Sequence, residues 1–306
     1  DKVIDYYAEP IMHELLSEKD FGKYQECNTR CLIDKVTRFE DEHKHPMNID
    51  SMTADDLRVF ADFLSSDYDI SMNTIVTNMT LMRTVCNWVR KQGVTNNDPF
   101  FGYDMPKALY GTPYFLTIQE RDQVLDADLT DDAELAEYRD MFVFQCMVGC
   151  RHSDLVTFTP KNIIDGVLEY IPIKTKGKLG DVVRVPLIPK AMAILDGHDH
   201  GDDEPIFPKH YNFKFNDAIR RILKRAKVNR VVTVINPKTR LEEKKPISDV
   251  ATSHLARRTF IGNLYRMVKD PDLVASMSGH AKGSVAFARY RVIDDDMKKS
   301  LVELIQ

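Results

Sequence analysis

Apolar residues recur at helical spacing through residues 21–46 and again through 54–65, where Thr53-Ala54-Asp55-Asp56 supplies a capping hydroxyl and an acidic first turn. A third helix is predicted from about Ile70 to Gln92, with Ile75, Met79, Leu81, Met82, Val85, Trp88 and Val89 as its apolar positions and Gly93 as its stop. Between Asn96 and Pro113 the periodicity lapses, three Pro and two Gly intervene, and the stretch reads as an interdomain linker. Beyond it Thr117-Ile118-Gln119-Glu120 has the capping-box pattern and opens another helix. The helix from Asp131 to Gly149 ends in Met141-Phe142-Val143-Phe144-Gln145-Cys146-Met147-Val148, apolar on nearly every side, and must be buried. Two β-rich runs, 167–173 and 182–187, flank Lys174-Thr175-Lys176-Gly177-Lys178-Leu179-Gly180 and predict a hairpin with a basic loop. Helices are expected at about 189–196 and 211–227, then a second hairpin at 231–247 around Asn236-Pro237. Further helices are expected at 253–268, 271–277 and 283–290, with a short amphipathic helix from Asp294 to Gln306.

The pattern gives a mainly α protein with a small β-sheet in two domains, a helical one over 1–110 and a mixed one over 111–306. A chain of 306 residues with 43% hydrophobic and 29% charged residues fits that reading and excludes collagen-like, disordered and coiled-coil classes. No apolar run approaches the roughly 18 residues that span a bilayer, and the first residues lack a signal-peptide pattern. A soluble, cytoplasmic protein with no membrane partner is therefore expected. Five cysteines, several within apolar helical patterns, fit reduced thiols.

Charge is unevenly spread. The net charge is -5, with residues 1–110 at net -7 and 111–306 at net +2. Between Arg220 and Arg258 twelve basic residues face three acidic ones, a local excess that suits a polyanion-facing surface. Arg220, Arg221, Lys224, Arg225, Lys238, Arg240 and Arg258 are its candidate contacts to such a polyanion, nucleic acid included. The alternative is a solvated helix face whose acids come from elsewhere in the fold. In the first domain Lys23, Arg30, Arg83, Arg90 and Lys91 are further candidates for phosphate contacts.

There is no Gly-x4-Gly-Lys-Ser/Thr loop, no Gly-x-Gly-x-x-Gly after a strand and no His-Glu-x-x-His, so nucleotide-driven chemistry, dinucleotide redox and zinc proteolysis lack support. Cys27 and Cys31, one helical turn apart, could hold a metal only with two further ligands and read better as helix packing, and the run Asp196-Gly197-His198-Asp199-His200-Gly201-Asp202-Asp203-Glu204 lies in a Gly-rich turn without defined ligand spacing, so no metal or cofactor is expected. Four dispersed pieces are more telling together. They are Gly149-Cys150-Arg151-His152-Ser153-Asp154-Leu155, Ser253-His254-Leu255-Ala256-Arg257-Arg258, Met277-Ser278-Gly279-His280 and Ala288-Arg289-Tyr290-Arg291, to which the lysines of the first hairpin loop are added.

In that order these elements resemble the catalytic domain of the tyrosine recombinase (phage integrase) family, in the form found in integrases of mobile genetic elements. The resemblance covers about 113–306, and 1–110 is similar by position and helix content to the family's core DNA-binding domain. It implies Arg151, Lys174, His254, Arg257, His280 and Tyr290 as catalytic residues, with Asp154 supporting Arg151 or His254 and Lys176 as the other hairpin lysine. Lys174 is preferred because the Lys-Thr pair ends the first strand. Tyr290 lies ten residues after His280, one more than the commonest family spacing, and Gly283-Ser284 can absorb the extra residue.

The implied activity is site-specific cleavage and rejoining of double-stranded DNA through a 3′-phosphotyrosyl bond and a free 5′-hydroxyl, with strand exchange and without ATP or metal. A phenol is about 0.1% ionised at pH 7, so its attack needs nearby cations or a base. Two guanidiniums would clamp the nonbridging oxygens, His254 would accept the tyrosine proton, and the hairpin lysine would protonate the leaving oxygen. The resemblance also implies a homo-tetramer on two DNA sites passing through a Holliday junction, accessory DNA-bending proteins, nucleoid association in a bacterial cell, and two domains clamped around the duplex. Met297, Leu301, Val302 and Ile305 would dock the C-terminal helix on a neighbour. A type IB topoisomerase-like relaxing enzyme and an idle DNA-binding regulator are the alternatives on the same scaffold.

Overall fold

In the computed structural model the described residues are 23–91, 93–175, 182–198, 201–268, 270–280 and 302–303. The chain falls into two compact units, one of residues 1–110 with 235–242 and one of 111–234 with 243–306. It is mainly helical, with one three-stranded and one two-stranded antiparallel sheet among the described residues.

In the first unit, helices α1 (Lys23–His43), α2 (Ala54–Ser66) and α3 (Met72–Lys91) bury Leu32, Val36, Phe39, Leu57, Phe60, Phe63, Ile75, Met79 and Met82 against one another. Phe39 sits edge-on to Phe60 and Phe63, with centroids 5.4 and 5.3 Å apart, a geometry that aligns ring edges with ring faces. The expected cap at Thr53 forms in full. Thr53 Oγ1 accepts from the Asp56 N–H at 3.3 Å, and Asp56 Oδ2 accepts from the Thr53 N–H at 2.7 Å.

The same unit takes in the tip of the second hairpin, which the sequence reading placed wholly in the other domain. Strands β4 (Val231–Ile235) and β5 (Glu242–Pro246) pair, and between them Asn236 Oδ1 accepts from the N–H groups of Lys238 and Thr239. From this tip Pro237 C=O accepts from the Met72 N–H at 3.3 Å, the Lys238 ammonium meets the Asp69 carboxylate, and Arg240 reaches the Lys107 carbonyl at 3.4 Å. Long-range contacts of this kind leave no trace in local periodicity.

The second unit is built around α5 (Ala133–Val148). Asp132 caps it through Leu135 N–H at 3.0 Å, every residue from Met141 to Val148 is buried, and Gly149 ends it in the left-handed region at φ 69°. Helix α4 (Ile118–Leu125) carries the expected capping box between Thr117 and Glu120 and packs on α5. Helices α8 (Asn212–Arg225) and α10 (Ser253–Val268) pack on other faces of α5, and α7 (Pro189–Asp196) covers a fourth. The three-stranded sheet runs β1 (Ile163–Ile164), β2 (Val167–Tyr170), β3 (Val183–Pro186), with Tyr170 opposite Val183. A four-residue helix, α6 (His152–Leu155), follows the break after α5, and α9 (Ile247–Val250) and α11 (Pro271–Ser278) flank α10.

Strand β2 stops earlier than expected. Pro172 has no N–H for the ladder and the Ile173 N–H is taken by Asp154, so Lys174 falls in a 3₁₀ turn (Ile173–Thr175) rather than at a strand end. The expected helix at 283–290, most of the C-terminal helix and the loop holding Lys176 and Lys178 lie outside the described residues. Among the described residues no helix is long and apolar enough to cross a membrane.

Candidate active site

Two interruptions of helix in the second unit bring the site together. At the first, Gly149 adopts φ 69°, and a Cβ there would lie 2.2 Å from Phe260 Cδ1, so only glycine lets α5 end directly against α10. The chain then turns so that Arg151 becomes the residue before α6, extended at φ -79° and ψ 154°. The freed Gly149 carbonyl accepts from Arg257 Nη1 at 2.7 Å. Arg257, 3% exposed on the inner face of α10, is therefore tied to the break that projects Arg151.

The second interruption is Gly279, at φ 64°, which caps α11 and turns the chain into His280. Arg257 Nη2 lies 3.1 Å from His280 Nδ1 and 3.3 Å from Nε2, and Ser278 Oγ lies 2.9 Å from Nδ1. A guanidinium only donates, so it favours the unprotonated imidazole. Burial and the charges of Arg257 and Arg151 act in the same sense and push the His280 pKa down to about 3, which keeps the ring neutral near pH 7.

His254 sits one helical turn before Arg257, exposed at the rim of the same helix. Partial desolvation and the positive charges of Arg258, Arg257, Arg151 and Lys174 lower its pKa. Of these cations Arg151 and Lys174 come from distant parts of the chain and still act on a residue of α10. His254 is accordingly held as a base, able to accept a proton and poor at keeping one. Lys174 is exposed in its 3₁₀ turn, and Asp154 fixes that turn by accepting from the Ile173 N–H at 2.9 Å. The expected bond from Asp154 to Arg151 or His254 is thus replaced by one to the lysine-bearing segment.

Arg151 Nη1 is buried without a hydrogen-bond partner among the described residues. A buried guanidinium N–H without an acceptor, with a second guanidinium and two imidazoles whose pKa values positive charge lowers, makes a positively polarised neighbourhood suited to an anion with several oxygens. Of the six residues expected to act together, five belong to this neighbourhood, while the sixth, Tyr290, and the alternative lysine Lys176 lie outside the described residues.

The basic stretch from Arg220 onward is differently disposed. Arg220 pairs with Asp217 at 3.4 Å, Arg221 with Asp132 at 2.8 Å, Lys224 with Asp249 at 2.8 Å and Arg225 with Asp131 at 2.6 Å. Lys238 and Arg240 belong to the hairpin tip described above, and Arg258 lies over the Tyr114 ring, 5.2 Å from its centroid. Acids outside the stretch therefore pair with Arg220, Arg221, Arg225 and Lys238, while Lys224 takes one of the stretch's own three acids. The described residues hold no group of three or more His, Cys, Asp or Glu side chains placed for a metal. His198, from the acidic turn, packs on Phe207 and lies 3.7 Å from Asp140, while Asp199 and His200 lie outside the described residues.

Sequence reasoning did not assign a role in the site to Gly149 or Ser278. Ser278 stood in a quoted motif, one glycine before His280, and its hydroxyl position was the available signal. Tyr170 alternates in register with buried Leu168, which places a phenol in an apolar layer where a polar partner is the usual requirement.

No curated protein sequence matches the chain. In solved structures, the Tn1549 transposon integrase in complex with a circular intermediate DNA has a TM-score of 0.71 at 16% identity, covering 100% of this chain and 99% of that one. A lambda integrase dimer bound to a COC′ core site has a TM-score of 0.68 at 13% identity, covering 95% of each chain. At such identities the likeness is one of fold. The sequence pattern of the phage integrase SAM-like domain matches residues 3–105, and that of the Phage integrase family matches residues 114–297. The second match spans more than half of the chain and contains every candidate catalytic residue, so the chain belongs to the phage integrase family, the tyrosine site-specific recombinases.

Proposed function

We propose that the chain is the integrase of a mobile genetic element, cutting and rejoining double-stranded DNA through a covalent 3′-phosphotyrosyl intermediate on Tyr290. The observation that carries this reading is the joint between Arg257, Gly149 and His280, with Arg151 alongside. Two permanently charged guanidiniums and two imidazoles whose pKa values their positive charge lowers support the binding of a phosphate here. In this mechanism Arg151 and Arg257 stabilise the charge that grows on the nonbridging oxygens as the phosphorus becomes five-coordinate. His254 accepts the Tyr290 proton as the phenol attacks, and His280 hydrogen-bonds the same phosphate from the Arg257 side. Lys174, on its exposed turn, protonates the departing 5′-oxygen, with Lys176 as the second candidate. Attack by the 5′-hydroxyl of a second duplex reverses the step, so bond energy is conserved and strand exchange needs neither ATP nor metal.

Strand exchange by this chemistry calls for four protomers on two sites and a Holliday junction, with the face of Met297, Leu301, Val302 and Ile305 reaching a neighbouring protomer. The first unit serves as the core DNA-binding domain. The lambda and Tn1549 proteins, each solved with DNA, support a duplex as the partner.

The test is a nicked suicide substrate that traps the covalent intermediate. Incubation gives a denaturation-resistant protein–DNA adduct that Tyr290→Phe abolishes while DNA binding persists. Absence of any adduct with the unaltered chain on its own element's ends overturns the reading.

A further inference from the structure

Arg151 Nη1 is not alone among buried polar atoms that lack a partner in this part of the fold. Asp154 Oδ2 and Tyr170 Oη are in the same condition, with Asp154 1% and Tyr170 7% exposed. Buried polar groups are almost always paired, so three such groups together call for an explanation. Their chemistry is complementary: a guanidinium only donates, a carboxylate only accepts, and a phenol does both.

The backbone holds Tyr170 where it can join them. It is the last residue of β2, opposite Val183, and its ring meets Phe158 edge-on at 4.9 Å. Three residues later the Ile173 N–H is bonded to Asp154 Oδ1, so the carboxylate is fixed against the segment that leaves the tyrosine. From another side the Gly279 turn closes on the same strand pair, where a Cβ on Gly279 would stand 3.0 Å from Val183 Cγ2 and 3.1 Å from Pro172 Cγ. The His280-bearing turn therefore lies against Val183, the residue opposite Tyr170, and against Pro172, two residues after it on the way to Lys174. Burial above all raises the phenol's pKa, the neighbouring Cys150 and Asp154 act in the same sense, and Arg257 and Arg151 oppose it, so the O–H stays available as a donor.

We propose that Tyr170 is a positioning residue of the recombination site, its hydroxyl donating to Asp154 Oδ2 and accepting from Arg151 Nη1 when the scissile phosphate is held. The bridge fixes the guanidinium that meets the phosphate and links it to the strand leading to Lys174. This inference rests on the phosphoryl-transfer reading above. A tyrosine kept only for packing would do as well as phenylalanine, which fills the same space without burying an unpaired hydroxyl.

Tyr170→Phe separates the two roles because packing alone predicts cleavage at the unaltered rate and positioning predicts a slower one. Positioning predicts single-turnover cleavage of the suicide substrate at least tenfold slower, with DNA affinity unchanged and a melting temperature equal to or above that of the unaltered chain. Cleavage at the unaltered rate overturns the proposal, as does a variant that no longer melts cooperatively. A double-mutant cycle with Asp154→Asn gives an independent reading. A shared bridge makes the double variant no slower than the slower single one, and multiplying defects overturn it. Absence of adduct from the unaltered chain removes both readings together, whereas normal adduct formation with an unaffected Tyr170→Phe removes this one alone.

Discussion

Replacing Arg257 by lysine keeps a positive charge but removes the fork that joins the Gly149 carbonyl to His280. An ammonium cannot serve both partners and a phosphate in one plane. Arg257→Lys is expected to slow strand cleavage by about 10²–10³-fold, the usual cost of losing a fixed donor to a developing oxyanion, measured by single-turnover cleavage at saturating protein. His280 gives a prediction in pH. Its folded pKa of about 3 lies below the unfolded value near 6.5, so in this window the unfolded chain binds the proton and the folded chain does not. The stabilisation is complete above about pH 6.5 and is lost as pH falls toward the folded value. Between pH 7 and pH 5 the melting temperature of the unaltered chain is expected to fall more than that of His280→Asn, and parallel curves would contradict this. The motif residues were legible because each stands within a few positions of a glycine or a second motif residue. What Asp154 bonds was not, since its partner lies nineteen residues away in sequence.

At the level of elements, the break after α5 does more than end a helix. Its glycine conformation, the Phe260 ring and the carbonyl offered to Arg257 are one arrangement. Gly149→Ala forces a side chain into Phe260 and into an unfavourable φ, and is expected to cost about 3 kcal/mol. For a unit of this size that lowers the melting temperature by roughly 6–12 °C, measured by thermal denaturation, with cleavage impaired even where the protein is folded. The long helices were readable from periodicity and caps: Thr53, Thr117 and the apolar run of α5 all do what their patterns require. The two-residue β1 and the four-residue α6 were not, because elements that short contain no full period. The end of β2 was misplaced because a proline and a captured N–H, rather than β propensity, decide it.

On the scale of the molecule, charge is the property least visible in the chain order. A net excess within one stretch suggested a broad DNA-binding face, yet Asp131, Asp132, Asp217 and Asp249 return to balance most of α8's cations. Such exposed pairs contribute little to stability, about 0–1 kcal/mol each. Their effect on DNA binding follows from counterion release, in which each phosphate neutralised adds about one to the slope of log affinity against log salt. Arg221→Ala combined with Arg225→Ala is expected to leave that slope unchanged to within about one, read from binding titrations across a salt series. A fall of about two would return both side chains to the phosphate backbone.

The hairpin tip at 235–242 makes the first unit discontinuous in sequence. A protein engineer who cuts at the proline-containing linker therefore separates neither unit whole. The leading fragment forfeits the carbonyl that receives the Met72 N–H and the cation that meets Asp69, while the trailing fragment carries an orphaned loop. Domain exchange between such recombinases then has to move two segments together, and a chimera joined only at the linker inherits a mismatch more than a hundred residues from its seam.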